Sequence, residues 1–282
     1  MKVGTPVLIV QGGTGAHAKD PSDREAMRRS LSAVLEAAYE HLLKTNAVEA
    51  VCLAVKLLED DPLFNAGTGS QIQKDGKARL SAAVMDGERE IFSGVINLQK
   101  IRNPILVAKL LLDGPCNVLS DEGALQFALA HGFSEEDTTT PLSRKRWQEQ
   151  KERASDTVGA CAIDSVGRLA SATSTGGIGL ETPGRVSDSA TPAGNFADAH
   201  GAVSATGVGE EIIHECLAAK IVTRVRDGLA LDAAFDRTFR EVRSKKRRMG
   251  AVAVDAAGNV AYETTSGTLA WAWKKGTDVK IF

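Results

Sequence analysis

The sequence predicts a mixed α and β protein in which β-sheets pack against each other and helices cover them. Two observations lead to this fold class. Amphipathic helical patterns dominate the first half of the 282-residue chain, and short strand-like runs joined by tight turns dominate the second half. This spacing favours antiparallel hairpins over the crossovers of a parallel sheet, and the apolar face of each element must be buried against another layer.

The helices are predicted from their start signals. Ser22 and Glu25 form a capping-box pair that opens an amphipathic helix ending near Lys44. Asn46 begins a second helix in the same way, and Pro104 stands at the first position of a third. Further helical patterns follow at 120–132, 209–227 and 231–247.

Strand-like runs are predicted from apolar and β-branched residues bounded by turn signals. They cover 6–10, 78–85, 92–97, 157–164, 168–174, 201–206, 250–255 and 259–265. Turns at Asp75-Gly76, at Gly167 and within 256–259 indicate hairpins between neighbouring runs. Trp271 and Trp273 lie two positions apart, which predicts a final strand with one buried face.

Glycine clusters interrupt these elements at four places. They are GGTG (12–15), NAGTG (65–69), STGGIG (174–179) and TGVG (206–209). Each cluster adjoins an apolar segment, so we interpret it as a tight turn at which the backbone approaches another group closely.

Composition and charge exclude several classes of protein. The 34 basic residues nearly balance the 36 acidic ones, so the chain has no basic footprint for nucleic acid. No apolar run is long enough to cross a membrane or to act as a secretory signal, so we expect no membrane partner. The four cysteines lie far apart without metal-ligand spacing, which predicts buried, reduced thiols and a cytoplasmic protein.

The segment 135–156 is polar, highly charged and poor in aliphatic residues. It suits either a solvated loop with a surface helix or a flexible linker that ends at a processing point. A buried-strand pattern beginning with Thr157 follows directly. A threonine that becomes the first residue of a chain can use its own α-amine as the base for its hydroxyl. Cleavage after Asp156 would create this arrangement, although threonine also opens strands through β-propensity alone.

Motifs spread over nearly the whole chain resemble those of the plant-type L-asparaginase and isoaspartyl peptidase family of N-terminal nucleophile hydrolases. They are DPLFNAGTG (61–69), AAVMDG (82–87), DTVGACAID (156–164), ATSTGG (172–177), PGRVSDS (183–189), ATGVGE (205–210) and GAVAVD (250–255). The motifs between 156 and 210 are the most specific, because four of them occur in order at the family's spacing. The resemblance implies a four-layer αββα sandwich, whereas periodicity alone supports only mixed α and β.

The resemblance also implies how the nucleophile is made. Thr157 would be the nucleophile, released by cleavage of the bond after Asp156, and Thr175 would hydrogen-bond near it. Asn65 would support the region of the nucleophile. A single domain of residues 1–282 would thereby become an α subunit, 1–156, that ends in the flexible linker, and a β subunit, 157–282.

Substrate contacts are implied for four residues. Arg185 would clamp the α-carboxylate of the substrate with its planar guanidinium, and Asp188 would take the α-ammonium. Thr206 and Gly207 would supply the oxyanion hole. A structural sodium ion is implied on main-chain carbonyls of Leu58, Glu59, Asp61, Phe64, Ala66 and Thr68.

The implied reaction is hydrolysis of L-asparagine and of β-aspartyl dipeptides through a threonyl acyl-enzyme. The resemblance implies small-molecule substrates, no cofactor for catalysis and a homodimer of αβ units. From the residues alone, Arg185 and Asp188 match the charges of an amino acid head group, or else form a surface ion pair. A glycosylasparaginase-like amidase and an uncleaved, non-catalytic amino-acid-binding relative stay open as alternatives.

The basic run SKKRRMG (244–250) lies at the end of a helical pattern. Cations are favourable at helix C-termini because of the helix dipole. We therefore interpret the run as a solvated helix end in preference to a nucleic-acid or nuclear signal.

Overall fold

The computed structural model describes residues 4–14, 21–150, 157–265 and 267–282. Several features of the sequence analysis lie outside this description, namely Gly15 of the first glycine cluster, the end of the predicted linker with Asp156, and the side chain of Ser22. The described chain combines helices and sheets, which confirms the mixed α and β fold class. None of its helices is both long and apolar enough to cross a membrane.

The helices are α1 (Pro21–Leu42), α2 (Ala47–Asp60), α3 (Pro104–Leu110), α4 (Asp121–Ala130), α5 (Pro141–Gln148), α6 (Gly209–Glu215), α7 (Leu217–Arg226) and α8 (Leu231–Ser244). Helices α2 and α3 begin where their start signals predict, whereas α1 begins at Pro21, so Ser22 lies within the helix and does not precede it. Asn46 caps α2, since its Oδ1 accepts the Glu49 N–H at 3.0 Å. Pro104 is the first residue of α3, a position where its missing N–H has no intrahelical partner to lose.

The strands form two sheets. They are β1 (Val7–Gln11), β2 (Leu80–Asp86), β3 (Ile91–Leu98), β4 (Val118–Ser120), β5 (Val158–Ile163), β6 (Leu169–Thr175), β7 (Asn195–Ala197), β8 (Gly201–Gly207), β9 (Met249–Asp255), β10 (Val260–Thr264), β11 (Trp271–Lys275) and β12 (Asp278–Ile281). The large sheet has the order β12-β11-β1-β5-β6-β2-β3-β4, and the small sheet has the order β10-β9-β8-β7. Strand β11 carries both tryptophans, as their spacing predicts, but it is not the final strand, because β12 follows it.

The long helix predicted at 209–227 is wrong, because the chain forms two helices there. Cys216 separates α6 from α7 and has a φ of 48°, in the left-handed region. A right-handed helix cannot continue through such a residue. Cysteine has no special preference for this conformation, so the sequence carries no local signal of the break.

The strand predictions need two further corrections. Strands β4, β7 and β12 have only three or four residues each and were not predicted, because so short a run shows no clear alternation. Asp75-Gly76 does not join a hairpin, since β2 begins later, at Leu80, and pairs with β3 and β6. The turns at Gly167 and within 256–259 do join hairpins, β5–β6 and β9–β10.

Three hydrophobic clusters hold the elements together. One packs helices α1 to α4, including Val55, on the large sheet. A second packs α7 and α8, including Phe239, on the small sheet. The third contains side chains from both sheets, such as Cys161 and Val252, and is where the sheets meet. Burial of this apolar surface is the main favourable term in the stability of the fold.

Strands β6 and β8 face each other and point the same way. A Cβ built on Gly87 would lie 2.8 Å from the carbonyl oxygen of Leu169, at the start of β6, and 2.7 Å from that of Asp198, just before β8. Farther along, Thr173 Oγ1 and Ser204 Oγ are 2.9 Å apart. The C-terminal ends of β6 and β8 therefore lie at the same edge of the two sheets.

The segment 135–156 contains a helix that contacts the rest of the protein. Helix α5 has a capping box, in which Thr140 Oγ1 accepts the Ser143 N–H and Ser143 Oγ accepts the Thr140 N–H. Trp147 Nε1 donates to the Gln73 carbonyl oxygen at 2.9 Å. The surface helix allowed by the sequence is thus present, and the role of the segment as a linker stays a prediction.

The cysteines are all free thiols, but only two of them are buried. Burial raises the pKa of the thiols of Cys52 and Cys161. Cys116 and Cys216 are exposed, so the expectation that all four are buried is wrong. Cys116 lies in the loop between α3 and β4, and Cys216 lies between α6 and α7. Neither residue belongs to any of the three hydrophobic clusters.

The closest approach of the sheets gives a test of the fold. We expect Gly159→Ala to destabilise the protein by about 2 kcal/mol or more, because a Cβ there would lie 1.9 Å from Ser204 Oγ and 2.9 Å from the Ala172 carbonyl oxygen. Gly123→Ala in α4 is the control, since nothing lies within 4 Å of its added Cβ. Alanine there should stabilise the helix by roughly 0.5–1 kcal/mol. Urea unfolding measures both changes, and an unchanged Gly159→Ala protein would contradict the close contact of β5 and β8.

Candidate active site

Two threonine hydroxyls meet at one end of the hairpin β5–β6. Thr157 directly precedes β5 and Thr175 is the last residue of β6, so the antiparallel pairing brings them together. Thr157 is 2% exposed and Thr175 is 3% exposed, and their Oγ1 atoms are 3.4 Å apart. The Thr175 hydroxyl also accepts the Gly177 N–H at 3.2 Å, which orients it toward Thr157.

Asn65 fixes the turn that follows Thr175. Its Nδ2 donates to the Gly177 carbonyl oxygen at 2.6 Å, and its Oδ1 accepts the Gln71 N–H at 3.1 Å. Its own carbonyl oxygen accepts the Gly176 N–H at 2.8 Å. Asn65 is fully buried, so water does not compete for these hydrogen bonds.

Strand β8 brings Thr206 and Gly207 to the same edge of the sheets. The Thr206 side chain is fully buried, and its hydroxyl has no hydrogen-bond partner among the described residues. Gly207 has a φ of 140°, which L side chains rarely adopt. Leaving a buried hydroxyl unpaired costs about 1–3 kcal/mol, so this group is suited to donate to a bound ligand.

Arg185 holds its guanidinium in place through an acidic partner. Its Nε donates to Glu210 Oε1 at 2.7 Å and its Nη2 donates to Glu210 Oε2 at 3.0 Å. Hydrogen bonding to Arg185 in turn lowers the pKa of Glu210 below its usual range. A bidentate pair of this kind fixes the plane of the guanidinium.

Asp188 is a buried carboxyl that lacks a donor. It is 2% exposed, and its Oδ2 makes no hydrogen bond to the part of the chain described. Burial raises its pKa to about 7, although the nearby Arg185 guanidinium opposes the shift. The surface ion pair considered for Arg185 and Asp188 therefore does not form. Arg185 pairs with Glu210 instead, and Asp188 Oδ2 has no partner among the described residues.

Close contact of the backbone joins the charged groups to the end of β8. Gly209 begins α6, two residues after Gly207. A Cβ on Gly209 would lie 2.8 Å from Arg185 Nη2 and 2.9 Å from Asp188 Oδ1. The two charged side chains thus lie beside the end of β8, which shares its edge with the threonine pair on β5 and β6.

Two acidic residues of this site were missed by the sequence analysis. Glu210 closes the motif ATGVGE, which was the available signal, but its pairing with Arg185 depends on contacts between distant segments. Glu181 is 8% exposed, and its Oε2 is unpaired within the described residues. Its charge also acts on Arg185, and nothing in the local sequence marks it.

The loop after α2 offers main-chain oxygens for the implied sodium ion. The carbonyl oxygens of Glu59 and Asp61 accept the N–H groups of Thr68 at 2.7 Å and Phe64 at 3.1 Å, and each retains a second lone pair. Hard oxygen donors suit a hard cation, so the donor chemistry fits. No group of three or more His, Cys, Asp or Glu side chains in the described ranges could hold a metal.

The side chain of Glu59 lies between α2 and the start of α3. It is fully buried, and its Oε1 accepts the Ile105 N–H at 3.1 Å, at the start of α3. Burial raises its pKa to about 8. The carboxyl therefore joins α2 to α3 largely in its neutral form at pH 7.

The arrangement as a whole suits a small zwitterion. Arg185 offers donors for a carboxylate, and Asp188 offers a buried acceptor for an ammonium group. A buried hydroxyl pair and an unpaired donor lie at the same edge of the sheets. A molecule held by its charged groups would thereby present its remaining end to the Thr157 hydroxyl.

Comparison with known proteins identifies the family of the chain. A family model described as asparaginase matches residues 4–156 and 148–282. The isoaspartyl peptidase/L-asparaginase of Nostoc sp. is 42% identical to the chain, over 97% of the chain and 93% of its own length. The plant-type L-asparaginase of Pyrococcus abyssi is 36% identical, with 95% and 96% covered. The isoaspartyl peptidase/L-asparaginase of Homo sapiens is 35% identical, with 96% and 93% covered.

These matches extend over nearly the full length of both partners in each comparison. The two segments of the family model together cover the chain from residue 4 to its last residue. The resemblance inferred from the motifs is thereby confirmed, and the chain belongs to the asparaginase family of hydrolases.

Proposed function

We propose that this protein hydrolyses L-asparagine and β-aspartyl dipeptides through an acyl-enzyme on Thr157. The observation that carries the proposal is the buried carboxylate of Asp188, whose Oδ2 has no partner among the described residues. It lies beside Arg185, at the edge where Thr157 and Thr175 meet. This set matches an amino acid head group next to a nucleophile. The relatives are named as isoaspartyl peptidases and L-asparaginases, which supports the same substrates.

The charged groups bind the part of the substrate that does not react. Glu210 engages the Nε and Nη2 side of Arg185, so the remaining guanidinium donors receive the substrate's α-carboxylate. The α-ammonium supplies the donor that Asp188 lacks. Asparagine and β-aspartyl dipeptides share this head group and differ only in the leaving amine, so one site accepts both.

Acyl transfer then takes place at the side-chain carbonyl carbon. The Thr157 hydroxyl attacks this carbon and passes its proton to the α-amine of the same residue. The carbonyl oxygen of the substrate side chain, which becomes negatively charged, accepts hydrogen bonds from Thr206 and Gly207. Each such hydrogen bond contributes about 3–4 kcal/mol in sites of this kind. The amine returns the proton to the leaving nitrogen, which departs as ammonia or as an amino acid.

Water completes the cycle. It loses a proton to the same α-amine and attacks the ester carbonyl, and the C–O bond to Thr157 breaks. Aspartate leaves and the threonine hydroxyl is restored. Thr175 acts as a positioning residue in both halves, because it holds the Thr157 oxygen by a hydrogen bond.

We further infer that Thr157 creates its own amine. Its hydroxyl would attack the carbonyl of Asp156, so the peptide C–N bond breaks as an ester forms, and water then hydrolyses the ester. The products are subunits 1–156 and 157–282, with 135–156 as the linker. We propose that such αβ units pair as a homodimer in the cytoplasm.

The proposal includes a four-layer αββα sandwich and a sodium ion in the loop after α2. The clusters between helices and each sheet, and between the two sheets, support the layers. The ion would lie on the main-chain carbonyls already named and stabilise the loop that leads to Asn65. Catalysis itself uses only groups of the chain.

The first prediction concerns the nucleophile. Thr157→Ala should abolish both self-cleavage and release of ammonia from asparagine, because both reactions use the same hydroxyl. Thr157→Ser is the control, since it retains a hydroxyl and should keep part of both reactions. Denaturing gels and an ammonia assay measure the two outcomes. A Thr157→Ala chain still cut after residue 156 would contradict the proposal.

The second prediction concerns the arginine. Arg185→Lys should raise the KM for asparagine by about tenfold or more, because lysine cannot reproduce the planar fork. Self-cleavage should stay complete, since it involves no substrate carboxylate. Steady-state kinetics and gels of the same preparation test both statements. Loss of cleavage in Arg185→Lys would show that Arg185 is needed for the fold instead.

The third prediction concerns pH. Because the pKa of Asp188 is raised to about 7, its ionised form is lost as the pH falls below this value. Inhibition by L-aspartate, which carries an α-ammonium group, should therefore weaken by up to about tenfold per pH unit below pH 7. Succinate lacks the ammonium group and is the control, whose inhibition should not weaken. Equal pH profiles for the two inhibitors would contradict the role of Asp188.

A further inference from the structure

The basic run 244–250 does not behave as a uniformly solvated helix end. Lys245 and Arg247 both pair with the buried carboxylate of Glu215, to which Lys220 also donates. These cations are therefore held at one structural acid, although its single charge does not neutralise all three. Arg248 lies outside this cluster and has a different environment.

The main chain of Arg248 lies against the proposed oxyanion hole. Its carbonyl oxygen accepts the Val208 N–H at 3.0 Å, and a Cβ on Gly207 would lie 2.7 Å from that oxygen. Its own N–H donates to the Glu211 carboxylate. Two main-chain hydrogen bonds thus fix Arg248 next to the residues that follow Thr206.

Arg248 directly precedes β9, so extending the pleat of that strand by one residue indicates the direction of the Arg248 side chain. Met249 is fully buried in the cluster with Phe239, on the helix-covered face of the small sheet. Neighbouring residues of an extended chain point to opposite faces, so Arg248 points to the same face as Gly250. Gly250 is the ladder partner of Thr206, and this is the face on which Thr206 meets the large sheet.

The guanidinium of Arg248 makes no hydrogen bond to a side chain within the described ranges. The side chain is 66% exposed, and its nearest carboxylate is Glu211, with Nη2 and Oε1 3.7 Å apart. That separation is too long for a hydrogen bond. Within the described ranges, no other acceptor binds the Arg248 guanidinium, so a carboxylate can bind it without displacing a tight partner.

A β-aspartyl dipeptide brings just such a carboxylate, whereas asparagine does not. Its leaving amino acid carries an α-carboxylate whose carbon is about 2.5 Å from the scissile nitrogen. In the proposed complex, the head group binds Arg185 and Asp188 and the carbonyl oxygen lies at Thr206. The leaving amino acid and its carboxylate would then extend in the third direction from the reacting carbon. The acidic side chains around Arg185 would repel it unless a cation compensates.

We propose that Arg248 binds the α-carboxylate of the leaving amino acid and so favours isoaspartyl dipeptides with a free C-terminal carboxylate over asparagine. This inference rests on the proposed function. It makes Arg248 a specificity-determining residue that contacts only the leaving group. Self-cleavage and asparagine hydrolysis do not need it.

The test compares three substrates, β-aspartyl-leucine, β-aspartyl-leucine amide and L-asparagine. Wild-type kcat/KM should be about tenfold higher for the acid than for the amide, because only the acid forms a charge-assisted pair. Arg248→Gln should remove this preference. Its kcat/KM values for the amide and for asparagine should stay within about twofold of the wild-type values. Lys246→Gln is the matched control, since Lys246 is exposed and lies two residues away. It should change none of the three values.

Several outcomes would overturn the inference. Equal wild-type kcat/KM values for the acid and the amide overturn it without any variant. A preference for the acid that does not change when NaCl is raised from low to high concentration also overturns it. Equal losses on all three substrates in Arg248→Gln, or the same selective loss in Lys246→Gln, also overturn it. Wild-type protein that hydrolyses none of the substrates defeats the proposed function and the inference together.

Discussion

The antiparallel pairing of β5 with β6 is the constraint on which the site depends. It places Thr157 and Thr175 at one end of a hairpin, with both hydroxyls inside the protein. Gly159 then lets β8 approach closely enough for Ser204 to reach the hairpin, which brings Thr206 to the same edge. A larger side chain in this contact would separate the sheets and move Thr206 away from Thr157.

The two charged side chains of the site, Arg185 and Asp188, differ in how far their hydrogen-bonding groups are paired. Glu210 engages only the Nε and Nη2 donors of Arg185, whereas Asp188 is buried with one oxygen, Oδ2, that has no donor among the described residues. A buried carboxyl of this kind is unfavourable for the empty protein and resists ionisation. Under the proposed function, the ammonium group of a substrate would supply the missing donor to Asp188 Oδ2 and favour the ionised carboxylate.

Much of the fold could be predicted because its signals are local. Asn46 and Pro104 mark helix starts through hydrogen bonds within one turn, and the strand runs show through their composition. The break at Cys216 could not be predicted, because it requires a left-handed residue that has no preference for that conformation. The shortest strands were missed since three residues become a strand only through their neighbours.

The sequence by itself determined the family and the residues of the expected site, since its motifs are contiguous stretches whose side chains can be read directly. Only the tertiary structure decided how these motifs meet. The pairing of Arg185 with Glu210 and the position of Arg248 beside Gly207 join segments separated by tens of residues. Periodicity reports which face of an element is buried, and contacts between elements arise only when sheets and helices pack.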